Sequence, residues 1–201
     1  MKAVVFTTAF GMLCSLTMAD VPPRKKSEDK PAAETPAPAT LASDLKAGDL
    51  TFKVAAPWVL KKEPRRMSAG GCTIPGKDGA PAIEADFYHF GAGGGGGVEA
   101  NVARWQKQFE PGDDGKLPEG KREEVAIGGR KVLFVTFKGT FLSGSVMDAK
   151  RTPMPGFTMT GIIIPSEEAG DMFIKIAGPD AAMAAAGDHI KKLISSAFPA
   201  K

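Results

Sequence analysis

Cys72 and His89 are the side chains a covalent mechanism would use first, a thiol nucleophile and an imidazole base. No local motif orients either of them, and no third partner can be named. Cys72 sits in a strand-like run and reads as a small buried hydrophobe. His89 falls on the same strand parity as Phe87 and reads as a packed or edge histidine. Glu84 and Asp86 are the next candidates. Two residues apart on a strand, they point the same way, as acid–base chemistry or calcium binding would require. On an exposed strand face such a pair reads as solvation. With two histidines and two cysteines in the chain, no metal-ligand spacing is present. No motif calls for a cofactor.

The glycine run is the strongest lure. Gly91, Gly93 and Gly96 match G-x-G-x-x-G between a strand and a helix. Within consecutive glycines the match is nearly automatic, and the second parallel strand that a dinucleotide fold needs is missing. What the run does offer is backbone N–H groups at a helix start and exceptional conformational freedom. A second loop, Ser143 to Pro155, carries Met147 and Met154 beside Lys150 and Arg151, an adaptable apolar pair next to a basic pair. Gly93, Gly94, Gly95, Gly96, Met147, Lys150, Arg151 and Met154 are therefore the expected contacts for a ligand or partner. Lys61, Lys62, Arg65 and Arg66 form the densest basic cluster and read as a solvated hairpin or loop, with an anion site as the alternative.

The elements that must position these residues follow from periodicity. Leu50 to Ala55, Met67 to Ile74 and Ala82 to Phe90 read as strands, the last with Ile83, Ala85 and Phe87 on one face. Val98, Val102, Trp105 and Phe109 then recur at helical spacing, stopped by Pro111-Gly112. Arg122 to Ile127 and Lys131 to Phe141 are strands joined by Gly128-Gly129, a two-residue hairpin signal. Phe157 to Ile164 and Met172 to Ala177 form another hairpin. A final helix buries Met183, Ala186, Ile190, Leu193 and Ala197. The order β-β-β-α-β-β-β-β-α predicts an α+β fold, a central antiparallel sheet of about six to seven strands with two packed helices. A lipocalin-like barrel is the alternative, needing more strands and a more continuous meander.

The first 19 residues have the pattern of a secretory signal: Lys2, an apolar stretch from Ala3 to Leu16, then Thr17 and Ala19 as small cleavage-site residues. Cys14 raises the question of lipidation, but Leu13 stands where a small residue is the rule. Residues 20–47, with five prolines and few large apolar side chains, read as a disordered tether. Residues 48–201 read as the single domain. The chain's net charge is +3; removing Met1 to Ala19 removes one lysine and leaves +2, and no long single-sign block suggests a nucleic-acid surface. Cleavage would leave Cys72 alone, so no internal disulfide could form. The expectation is an exported, periplasmic or extracellular bacterial protein. Any membrane association would run through an uncleaved or lipidated N-terminus.

The run from Phe90-Gly91 through Val98-Glu99-Ala100-Asn101-Val102, with Arg104-Trp105 and Gln108-Phe109, resembles a family of small exported bacterial proteins of unknown function. So does Phe173-Ile174-Lys175-Ile176-Ala177-Gly178-Pro179 with the alanine-rich helix after it. That resemblance covers about Leu50 to Phe198. The element order also resembles the PsbP-like α/β/α sandwich of photosystem II extrinsic subunits and some bacterial lipoproteins. Neither resemblance supplies a catalytic residue. The functional classes are thus a binding or interaction domain at the cell envelope acting on an envelope protein or small ligand, a carrier or sensor of a small hydrophobic ligand, and a hydrolase using Cys72 or Glu84 and Asp86.

Overall fold

A computed structural model of the chain describes residues 42–144 and 150–198. The expected signal peptide and most of the expected tether lie outside them. The elements are β1 (Ser43–Ala47), β2 (Leu50–Val54), β3 (Val59–Leu60), β4 (Gly70–Ile74), β5 (Ile83–His89), α1 (Gly97–Gln106), β6 (Lys121–Ile127), β7 (Arg130–Ser143), β8 (Thr152–Ile164), β9 (Met172–Pro179), α2 (Asp180–Ala185) and α3 (Gly187–Ser195). Seven strands form one antiparallel sheet in the order β3-β4-β5-β9-β8-β7-β6, and β1 and β2 form a separate hairpin. The fold is α+β, as the order of periodic segments predicts. The sheet is open, ending at β3 and β6, so the barrel alternative is excluded.

Side-chain alternation divides the sheet into two unlike faces. On one, Phe87, Ile162, Ile174 and Ile176 are fully buried. The β1–β2 hairpin and the C-terminal helices cover it, contributing Leu45, Phe52, Ile190 and Leu193 to one continuous cluster. On the other, Val135, Phe137, Met159 and Phe173 gather under α1 and the segment after it. Gly161 fixes where α1 sits. A Cβ there would lie 2.1 Å from the Trp105 ring, so only glycine lets the indole lie against β8. After α1 the chain closes onto β7: the Glu110 backbone N–H donates to the Thr140 backbone carbonyl at 2.9 Å, and the Leu142 N–H donates to the Gln108 backbone carbonyl at 2.7 Å. This leaves the β5–β9 end of the face beyond the cover of α1.

Three expectations are corrected. The structured region starts before residue 48, because β1 lies within the stretch read as tether: Leu45 and Ala47 alternate with polar residues and are buried against β4 and β5. The loop expected over Ser143 to Pro155 gives way to strand at both ends, Ser143 and Thr152 to Pro155, since β7 and β8 stay paired out to Ser143 and Thr152 past an irregularity at Gly139–Phe141. Pro153 and Pro155 are tolerated because β9 reaches only as far as Phe157, so β8 has one neighbour there. The C-terminal helix is broken in two at Ala186-Gly187, although Met183, Ala186, Ile190 and Leu193 are buried as the periodicity requires.

Candidate ligand-binding site

The uncovered end of the α1-side face is floored by charge. β5 and β9 are paired with Asp86 opposite Lys175. Lys61 and Arg65, from the connection between β3 and β4, reach over β5. Lys61 Nζ lies 2.7 Å from Asp86 Oδ1 and 3.3 Å from Glu84 Oε2, and Arg65 Nη2 lies 2.9 Å from Glu84 Oε2. Arg65 Nε approaches Asp86 Oδ2 to 2.9 Å, but off the hydrogen-bonding direction, so this oxygen is ion-paired without receiving a hydrogen bond. Asp86 is 1% exposed. Glu84 and Asp86, and Lys61 and Arg65 of the basic cluster, each expected to be solvated, instead neutralise one another at the sheet surface, while Lys62 and Arg66 are exposed as expected. Burial alone would raise the Glu84 carboxyl; the Arg65 hydrogen bond and the Lys61 charge outweigh it and hold it below its ordinary range.

Lys175 is different. It stands on the central strand β9 between Phe173 and Ala177, is 9% exposed, and donates to Gln108 Oε1 at 3.1 Å. Its Nζ also lies 5.9 Å from the centre of the Phe141 ring. Among the described residues it pairs with no acid, because Asp86 and Glu84 are engaged by Lys61 and Arg65. Burial, reinforced by the like charge of Arg65, lowers its ammonium from 10.5 to about 8. Two adjoining hollows open on it, of about 400 and 260 Å³, and both are lined by Arg65 and Lys175. The larger has walls of Tyr88, Phe90, Trp105 and Phe173 with Arg66 and Arg104 beside them. The smaller is closed by Phe141, Met154 and Phe157. Burial, with the negative charge of Asp86 next, pushes the Tyr88 phenol up to about 12, so it is a neutral wall with a donor.

At the mouth of the larger hollow, Met67 is 73% exposed and Phe90 40%. Met67 has φ +67, a left-handed conformation that an unbranched side chain adopts only under constraint. The floor holds Lys61, Arg65 and Lys175 against Glu84 and Asp86, three cations to two acids, with Arg66 and Arg104 adding to the excess.

The glycine run supports this site without lining it. Gly93, Gly94, Gly95 and Gly96 contribute to neither hollow. Asn101 Nδ2 donates to the carbonyls of Gly95 (2.9 Å) and Gly97 (2.7 Å), and Arg104 donates to the Gly95 carbonyl as well. The loop is thus held by the helix it precedes, and it orients two side chains that do line the larger hollow. Gly95 has φ +80, and a Cβ there would meet the Phe173 ring at 2.5 Å, so glycine is required by shape rather than for mobility. Met154 lines the smaller hollow, Lys150 is exposed, and Arg151 donates to the Lys107 carbonyl at 3.4 Å; Met147 lies outside the described residues. Cys72 and His89 are not brought together. Cys72 is fully buried and its thiol is pushed up to about 12 by burial, while His89 Nε2 lies 2.8 Å from the Ala169 carbonyl oxygen.

Sequence reasoning read Arg65 as solvated and passed over Tyr88, Arg104, Gln108 and Lys175 as site residues. One signal was there: a lysine between Ile174 and Ile176 in a strand buried on both faces must itself be buried, which is rare without a purpose.

No family model matches the chain, and no curated protein matches it. Among solved structures, a Pseudomonas aeruginosa protein of unknown function, PA94, is 10% identical over 80% of this chain and 99% of its own, with a TM-score of 0.41. LpqN, involved in cell envelope biogenesis of Mycobacterium tuberculosis, is 18% identical over 71% of this chain and 78% of its own, with a TM-score of 0.38. Likeness at this level lends the chain neither a fold name nor a role, and the PsbP-like resemblance gains no support from it.

Proposed function

We propose that the chain is an exported binding domain of the cell envelope, without an active site, and that it binds a small ligand in the hollows above Lys175. Export rests on the charge, apolar run and small residues of Met1 to Ala19. Binding rests on Lys175 itself. A cation this deeply buried, with one neutral hydrogen-bond partner among the described residues, is costly unless an anion completes its surroundings. Groups whose ionisation burial perturbs, as it does for Lys175, cluster at functional sites. A concave, aromatic-walled setting with a few converging polar groups favours a small ligand over a flat protein partner. The deeply buried Cys72 offers no reactive thiolate to a hydrolase.

Native mass spectrometry of the chain recovered from the envelope fraction tests both halves. The reading expects a chain beginning at or near Asp20 that carries a small-molecule adduct, and a Lys175→Glu chain without it. An intact Met1 in a cytoplasmic pool would refute export, and adduct-free spectra from both chains would refute the ligand site.

A further inference from the structure

On that reading of the hollows, we infer that the ligand is a single-chain amphiphile with a compact anionic head, a carboxylate or a phosphate monoester. The head is held between Lys175 and Arg65, and the apolar chain lies against Trp105, Phe173, Tyr88 and Phe90.

The head is assigned from unspent donors. An ammonium has three N–H groups, and in Lys175 the described residues use one of them, on Gln108. Arg65 shares both hollows with Lys175, and its guanidinium already balances acids on one side only. An anion between the two completes their hydrogen bonding and cancels the single positive charge that the described residues leave on the floor. A cationic head would instead meet like charge there. A neutral head would leave the lysine unpaired or force it to lose its proton, so the floor selects against both. Arg66 and Arg104 on the wall extend the positive potential toward solvent and favour entry of an anion.

The tail is assigned from the walls. Trp105 and Phe173 are buried beneath α1, while Tyr88 and Phe90 stack with ring centres 6.4 Å apart and lead out to solvent. The exposed Met67 at the mouth can fold over a chain without the shape demands of a branched residue. A volume of about 400 Å³ fits one slender chain, since small-molecule sites run from about 300 to 1,000 Å³.

The test titrates the chain recovered from the envelope, stripped of bound lipid, with four probes of one tail length kept below micelle formation: dodecanoate, dodecyl phosphate, dodecanol and dodecyltrimethylammonium. Tryptophan fluorescence, read in a Trp58→Phe background so that it reports Trp105, and calorimetry report binding. Both anions are expected to bind at least about tenfold more tightly than dodecanol, the worth of a hydrogen bond to a charged group. The trimethylammonium is expected to bind more weakly than the alcohol. Lys175→Met should shrink the preference for anions while sparing dodecanol, and Lys175→Arg should restore most of it. Equal affinity for dodecanol and dodecanoate in the parent overturns the anionic head but leaves the hollows as a ligand site. Silence toward all four probes, with the native adduct still present, overturns the amphiphile and leaves a ligand of another class. Sedimentation with phosphatidylglycerol vesicles, without affinity for monomeric dodecanoate, overturns it too, because the chain would then read a membrane surface.

Discussion

The two faces of the sheet carry similar apolar strands and end in opposite states. One is sealed: the β1–β2 hairpin and α3 close over Phe87, Ile174 and Ile176, and its central side chains are inaccessible. The other is sealed by α1, where Trp105 rests on Gly161, and by the segment after it; beyond that cover β5 and β9 present Asp86, Tyr88 and Lys175 to the hollows. A single strand can serve both purposes because alternation makes its two sides independent. Ile174 and Ile176 of β9 hold the molecule together, and Lys175 between them faces the site. Burial of apolar area supplies the stability on the sealed side, and that stability tolerates a costly charge cluster on the open side.

The comparison is most sharply tested by damaging the sealed face alone. Phe52 is fully buried there, with its ring centre 4.8 Å from that of Phe87. Phe52→Ala should lower unfolding free energy by about 3–5 kcal/mol, read from denaturant midpoints, while changing dodecanoate affinity less than about twofold as long as the chain is folded. A matching loss of affinity would show that the faces are not independent.

A smaller effect belongs to the open face. The folded Lys175 releases its proton at about 8 rather than 10.5, so between these values the unfolded chain holds more protons and stability rises with pH. The groups around it that could interfere are Arg65 and Lys61 from the β3–β4 side, Glu84, Asp86 and Tyr88 from β5, and Arg104 from α1. Tyr88, with its phenol up at about 12, acts in the opposite sense above pH 10, and on the sealed face Cys72, its thiol raised from 9.0 to about 12, does so already above pH 9. Urea midpoints between pH 7.5 and 9 should therefore climb, by an amount on the order of 1 kcal/mol. In Lys175→Met the climb should flatten. An identical slope in both chains would assign it to other groups.

Much of the scaffold was legible because it obeys single-period rules. Ile83, Ala85 and Phe87 mark β5, Val98 to Trp105 mark α1, and Gly128-Gly129, both with positive φ, turn β6 into β7. β1 was hidden because five residues with two apolar side chains hardly differ from a polar tether until Gly48-Asp49 is read as a hairpin turn. The site was hidden for a different reason. Glu84 with Asp86, and Lys61 with Arg65, are each ordinary surface sequences in isolation. Their roles arise from being placed against each other across a strand pairing that no local pattern encodes. The glycine run drew attention for its freedom, whereas its structural use is the reverse, a tightly held turn that aims Asn101 and Arg104.

The central claim is that binding belongs to the open face, and amide chemical shifts of the isotopically labelled chain, titrated with dodecanoate, test it most directly. The account predicts that the shifts concentrate at Tyr88, Trp105, Phe173 and Lys175 and spare Leu45, Phe52 and Ile190. Shifts centred on the β1–β2 hairpin and α3 would contradict it.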